Sequence, residues 1–430
     1  MNKPKTSLLR SLIRRYQQAS LIEKNPALDV DTILELERTD PYSRRKFIKD
    51  SAKALTIIGL SSVIPFVSCR TKTDHEPPKL IKDKPERNNP VIVIIGGGIA
   101  GLNCAYQLKK KNIIAHVYEA DKKTGGRISS KENELGPGLI TEYGGEFIDT
   151  NNLDIINLVK ELNLLMYDTH ADIKDNHLIK EDYYFKNKKR SDKDILNEFK
   201  KIVKKLEGDK IKCRTDYTSK DAIIFDNTSL EEYVLSFPCN AWFKDLLIYA
   251  YVAEFGMDAS KQSALNLIDM ISTDTTNGFA IFGDSDERFK VVGGNAKVTS
   301  ELFTRVKDQV QVGKKLTSIK NSGNSYELSF EEGNAIKADI VVIAIPFTML
   351  RKVNIQLEGI SPDKLKCINE LGYGQNNKLI LSMNKRPWRE NKIKHSGYLF
   401  HQDIHNGWDS SQMQGNNAGA GSYTVFLGGT

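Results

Sequence analysis

The chain has 430 residues, enough for two or three domains with ample cores, and its 27% charged and 40% hydrophobic content excludes wholesale disorder. The net charge of +7 comes from one end: residues 1–90 carry 18 Lys+Arg against 11 Asp+Glu, and the rest balances at 44 of each. A body without surplus cations cannot neutralise a run of phosphates, which argues against a nucleic-acid binder; five cysteines with no C-x-x-C pair in so long a chain exclude a disulfide scaffold, and no metal centre is expected.

Residues 1–42 form an N-terminal extension to which no role is assigned. Ser43-Arg44-Arg45-Lys46-Phe47-Ile48-Lys49 resembles the twin-arginine export motif, and the apolar stretch Ala54–Val67 follows it. That stretch is shorter than the ~20 residues of a membrane span and suits the core of a signal peptide. Phe66-Val67-Ser68-Cys69 resembles a lipobox, with Phe66 where leucine is usual and Cys69 as the acylated residue. The reading over 43–69 is therefore export through the twin-arginine machinery to the periplasm, with a possible lipid tether at Cys69. Residues 70–89 are polar and proline-rich, as a linker should be.

Val91-Ile92-Val93-Ile94-Ile95 is a continuous β-branched run, the pattern of a strand buried on both faces of a parallel sheet. It enters Gly96-Gly97-Gly98-Ile99-Ala100-Gly101. In such a G-x-G-x-x-G turn Gly96 permits the tight bend, Gly98 lets a pyrophosphate approach the backbone, and Gly101 lets the following helix pack closely. The helix reads as Leu102–Leu108, a second strand as Ala115–Tyr118, and that strand ends in Glu119, 23 residues after Gly96, where an acid can bond ribose hydroxyls. These elements predict a dinucleotide-binding βαβ unit without deciding between NAD and FAD.

Thr124-Gly125-Gly126-Arg127 follows. This doublet resembles the G-G-R segment of the flavin amine oxidase superfamily, and the likeness continues in family order. Glu142-Tyr143-Gly144-Gly145-Glu146-Phe147-Ile148-Asp149 is similar to the segment beside the isoalloxazine ring. Glu254-Phe255-Gly256 and Ser263–Leu267 are similar to substrate-domain helices, Val292-Gly293-Gly294-Asn295 to the return into the FAD domain, and Val310–Val312 to the strand contacting adenine. Leu371-Gly372-Tyr373-Gly374-Gln375-Asn376-Asn377-Lys378 resembles the segment with the flavin-facing lysine.

The resemblance implies an α/β fold: a Rossmann-type, GR2-like FAD-binding domain at 90–165 and 289–350, interleaved with an α+β substrate domain at 166–288 and 351–430. It implies FAD, covalent or not, held by Gly96, Gly98, Gly101, Glu119, Gly126, Arg127, Gly144, Gly145 and the backbone of Val312. Family members continue with a further strand and helix carrying a glycine- and acid-containing motif, and nothing before Thr430 matches it, so the fold is expected to be C-terminally incomplete. The implied reaction is oxidation of an amine to an imine and then a carbonyl compound, with O2 reduced to peroxide. Lys378 is the catalytic candidate, holding a water against the flavin. Glu146 and Asp149 are candidates to attract a cationic amine, and Asp149 could instead cap the helix beginning near Leu153. Phe147 stands where snake-venom-type amino-acid oxidases have an arginine, which disfavours α-amino acids. Two alternatives stay open: a flavin desaturase or dehydrogenase of a carotenoid- or porphyrin-like molecule with a quinone acceptor, and a non-catalytic, lipid-tethered flavoprotein or truncated remnant.

Overall fold

The computed structural model describes residues 90–213, 217–276, 278–390, 393–414 and 419–430. The expected export signal, Cys69 and the 70–89 linker lie outside these. From Pro90 onward the described residues, apart from 217–219, belong to one compact unit.

A four-stranded, all-parallel sheet anchors the first half, in the order Ile340–Ile343, Ile92–Ile95, Ala115–Tyr118, Val310–Gln311. Its central strand explains the unbroken β-branched run. Ile92 and Ile94 point into a core shared with Leu102, Ala105, Val159, Val298 and Leu302, from the helices Ile99–Lys109, Leu153–Glu161 and Ala296–Val306. Val93 and Ile95 point the other way, into a core with Leu316, Ile319, Leu328 and Phe330. That second layer is a four-stranded sheet, Ile336–Ala338, Ser325–Phe330, Leu316–Ser322 and Asn354–Gln356, whose central hairpin turns at Gly323-Asn324 as the sequence predicts. Both faces of the parallel sheet are thus covered, and alternate residues of one strand serve two cores. The edge strand Ile340–Ile343 keeps Ile340 and Ile343 exposed.

A third sheet is mixed and six-stranded, in the order Asn376–Met383, Gly421–Gly428, His405–Asp409, His395–His401, Ile179–Phe185, Lys188–Arg190. The helix Ala241–Phe255 packs against it and ends at Gly256 in the left-handed conformation. A short pair, Met166–Asp168 with Phe289–Val291, runs across the expected domain boundary.

Candidate active site

The first part of the site is made of backbone. Gly96 has φ 109°, a conformation that side chains rarely adopt, and a Cβ there would lie 2.9 Å from the Ala344 carbonyl oxygen. Gly101 is fixed by space instead: a Cβ would fall 1.9 Å from the Gly96 carbonyl oxygen, so helix and turn pack this closely only without a side chain. The helix starts after Gly98, which is extended and offers no capping side chain, leaving the first-turn N–H groups for an outside acceptor. Glu119 is held at the end of its strand, with Gly97 N donating to Oε2 at 2.6 Å and Asp121 N to Oε1 at 2.8 Å. Each carboxylate oxygen keeps further acceptor capacity for hydroxyls.

The G-G-R segment lies directly against this turn. Gly125 N donates to Gly97 O at 2.9 Å, and Gly126, with φ 60°, has its Cβ position 3.2 Å from Gly98 Cα. Arg127 is exposed, with no ion pair among the described residues. Its carbonyl joins the two parts of the site: Gly145 N donates to it at 3.1 Å, and a Cβ on Gly144 would come within 2.1 Å of it. Around Gly145 nothing lies within 4 Å of a Cβ position. Val312 follows the strand that pairs beside Glu119, half its side chain open.

The second part is made of buried charge. Lys378 Nζ donates to Glu146 Oε2 at 2.9 Å, Gly144 O at 2.9 Å and Glu142 O at 3.1 Å. Those contacts use all three ammonium protons, so a water bound there would have to displace one of them. Glu146 is sealed, and its other oxygen accepts from Lys290 Nζ at 2.7 Å, a lysine with no exposed surface. Burial opposes ionisation of Glu146, but the two ammoniums more than offset it and hold the carboxyl below the ordinary range. Glu142 accepts from Asn295 N and Ser130 Oγ, both at 2.7 Å; burial prevails there and pushes its carboxyl up. Asn295 ties the segment down by donating Nδ2 to Gly145 O and Glu146 O. The Phe147 ring lies 4.6 Å from Lys290 Nζ and meets Trp408 edge-on at 5.4 Å, and Trp408 in turn lies 5.5 Å from Lys378 Nζ.

One expected substrate contact is corrected, and the partners of a second are located. Glu146 does not face a substrate amine, because both its oxygens are taken by lysines inside the protein. Asp149 Oδ1 accepts from Ser285 Oγ and Glu287 N, stitching two loops together. Nor does Asp149 cap the next helix, whose N-cap residue is Asn152. Sequence reading missed Lys290, Glu142, Asn295 and Trp408. Asn295 had a signal in its Gly-Gly-Asn context; Lys290, inside Arg288-Phe289-Lys290-Val291, had none, since lysine is almost never fully buried. The H-x-x-x-H spacing of His401 and His405 belongs to a hairpin in which they face each other, stacked on Tyr184 and Tyr249.

A strand–glycine turn–helix–strand–acid unit, joined through Arg127 to a lysine on a second sheet, defines a Rossmann-type dinucleotide-binding protein of mixed α/β fold. The chain belongs to the flavin containing amine oxidoreductase family, whose model matches residues 99–424. It is 22% identical over 342 residues to a flavin-dependent L-tryptophan oxidase of Lentzea aerocolonigenes, covering 71% of this chain and 68% of that one. It is also 22% identical over 312 residues to flavin-containing amine oxidase A of Bos taurus, covering 70% of this chain and 57% of that one. Among solved structures, a putrescine oxidase superposes with TM-score 0.65 at 17% identity, covering 79% of this chain and 76% of that one. Cyclohexylamine oxidase from Brevibacterium oxydans gives TM-score 0.64 at 18% identity over the same shares. The chain therefore spans 57% to 68% of the length of these two curated relatives. FAD is the family's cofactor, and the residues fit it: open backbone at Gly98 and Gly145, an exposed guanidinium at Arg127, and an acid at Glu119.

Proposed function

We propose that the protein oxidises an amine to an imine, which water hydrolyses to a carbonyl compound and ammonia or a smaller amine. FAD, when bound, supplies the hydride acceptor and passes two electrons to O2, which takes up two protons to give hydrogen peroxide. Gly98, the first turn of the following helix and Arg127 would hold the pyrophosphate, and Glu119 the ribose. The observation that carries the reading is Lys378, aimed at the Gly144-Gly145 segment and fixed by three acceptors. Its part is to hold a water or a proton at the flavin edge by yielding its longest contact, the 3.1 Å one to Glu142 O. Phe147, Trp408 and Phe426 form an apolar wall beside it. Such a wall favours the neutral form of an amine, which is the reducing form, and excludes bulk water.

The test is anaerobic addition of an amine panel to the flavin-loaded full chain. Bleaching of the visible flavin bands by an amine, and peroxide release on admitting air, are expected. Lys378→Met should lower turnover by about 10²-fold or more without releasing the flavin. A flavin that no amine bleaches would end this reading and return attention to desaturation.

Export by the twin-arginine route is proposed on the sequence alone. Folded proteins use that route, so FAD can be loaded before transport. Replacing Arg44 and Arg45 together by lysine should hold the protein in the cytoplasm, and equal periplasmic yield would refute the assignment.

A further inference from the structure

At the Met383 end of the six-stranded sheet lies an open cleft of about 330 Å³, walled by Pro137, Leu139, Ile140, Met413 and Ala420 and lined on one side by Arg386. The register sets its distance from the lysine cluster. Lys378 pairs with Phe426 and Met383 with Gly421, five residues further along both strands, about 17 Å. Arg386 lies against Gly421, where a Cβ would fall 2.4 Å from Arg386 Cγ. The cleft is therefore a different place from the lysine and the double glycine.

Arg386 is the charged residue of this wall, and its side chain is 2% exposed. Nη1 donates to Ser411 O at 3.1 Å. Nε is buried and has no acceptor, and Nη2 has none among the described residues. Those two nitrogens form the side-on edge of the guanidinium, the pair of donors that meets both oxygens of one carboxylate.

The neighbouring acids do not fill that edge. Asp409 Oδ1 accepts from Ser411 N at 2.8 Å and Ser411 Oγ at 2.6 Å. Its Oδ2 accepts from Trp388 Nε1 at 2.9 Å and stands 3.4 Å from Arg389 Nε, against 3.9 Å from Arg386 Nη1. Asp172 is taken by Arg389 Nη2 at 2.8 Å. One arginine thus holds both acids, and the fork of the other is left empty. A desolvated cation with unmade hydrogen bonds is costly, and an anion that supplies two acceptors at once removes the cost.

We propose that this cleft binds an organic monocarboxylate with an apolar body. Its carboxylate takes the Nε–Nη2 edge of Arg386, and its hydrocarbon lies against Leu139, Ile140 and Met413. The fork alone would suit a carboxylate or a phosphate. Two features choose the carboxylate. Asp409, close behind the guanidinium, repels a second negative charge. The rest of the wall offers methyl and methylene groups where a phosphate would need further cations. The site is independent of the amine-oxidising reading.

The experiment is calorimetric titration of the full chain with hexanoate, acetate, hexan-1-ol and inorganic phosphate. Hexanoate carries both head and tail and should bind about tenfold tighter than acetate or hexan-1-ol, each of which lacks one of them. Arg386→Met should bring hexanoate down to the level of hexan-1-ol. Since Arg386 is buried, a second variant keeps it in place: Ala420→Trp, from an exposed position on the rim, fills the cleft. It should weaken hexanoate about tenfold while its unfolding midpoint stays that of the wild type. In flavin-loaded protein the visible bands should not move as hexanoate binds. No binding of hexanoate, equal affinity for hexanoate and hexan-1-ol, or hexanoate affinity unchanged in either variant overturns the site. Phosphate binding tighter than hexanoate overturns the ligand class. Hexanoate that shifts the flavin bands sits at the lysine cluster instead, and this too overturns the assignment.

Discussion

Around Gly96–Gly101 the protein builds with backbone, and around Lys378 with charge. In the glycine turn every required feature is a missing side chain or a dihedral angle, supplied by residues within 23 positions of each other. In the lysine cluster the partners of Glu146 stand 144 and 232 residues away, on different sheets. Backbone demands leave a local signature at fixed spacing, because only glycine answers them. Charge pairing leaves none, because any lysine in the chain could be the partner until the fold chooses one.

That contrast decides what was legible. The run Val91–Ile95, the helix after Gly98, the strand ending at Glu119 and the hairpin at Gly323 could all be read from periodicity and turn residues, and the structure differs only at their ends. Lys378 was reached through family resemblance. Its geometry could not be: nothing local says that Glu146 turns inward to two lysines rather than outward to a substrate. The partners of Asp149 are hidden for the same reason, since Ser285 and Glu287 approach it from 136 and 138 residues away.

The largest effect should come from removing the acid that both Lys290 and Lys378 bond. Glu146→Leu leaves Lys290 buried without the carboxylate it bonds and should cost about 3–5 kcal/mol in denaturant unfolding. The double substitution Glu146→Leu with Lys290→Met should recover much of that loss, because an apolar pair of similar volume has no charge to desolvate. If the double variant were as unstable as the single one, the cluster would be held by packing rather than charge. Gly101→Ala should follow at about 1–3 kcal/mol, since the new methyl meets the Gly96 carbonyl oxygen at 1.9 Å and turn and helix must separate.

Acid offers a subtler probe of the charged region. Glu146 has a folded-state carboxyl lowered below its unfolded value, so its contribution is fully present above the unfolded value, near 4.3, and is lost as pH falls through the lower folded one. Stability measured from pH 6 to pH 3 should drop in the wild type. Glu146→Gln should flatten that part of the profile without restoring the neutral-pH stability. The atoms that a methyl on Gly101 meets carry no charge, so Gly101→Ala should shift the whole profile down with its shape unchanged.

The smallest effect on folding should be the most informative about the cofactor. Gly98→Ala places its methyl 3.9 Å from Gly126 Cα, in an extended conformation that alanine accepts, and Gly145→Ala meets nothing within 4 Å. Each should change stability by about 0.5 kcal/mol or less. If that open space is what the backbone keeps clear for FAD, both variants should fold as the wild type does and yet take up flavin more weakly, by about tenfold in dissociation constant for Gly98→Ala. Gly101→Ala should lose stability and flavin together. The two kinds of glycine then separate on a plot of flavin affinity against unfolding free energy: those that let the chain fold, and those that let something else come close. Unaltered flavin binding in both open-space variants would mean that the cofactor's closest approach lies elsewhere along the Gly125–Arg127 segment.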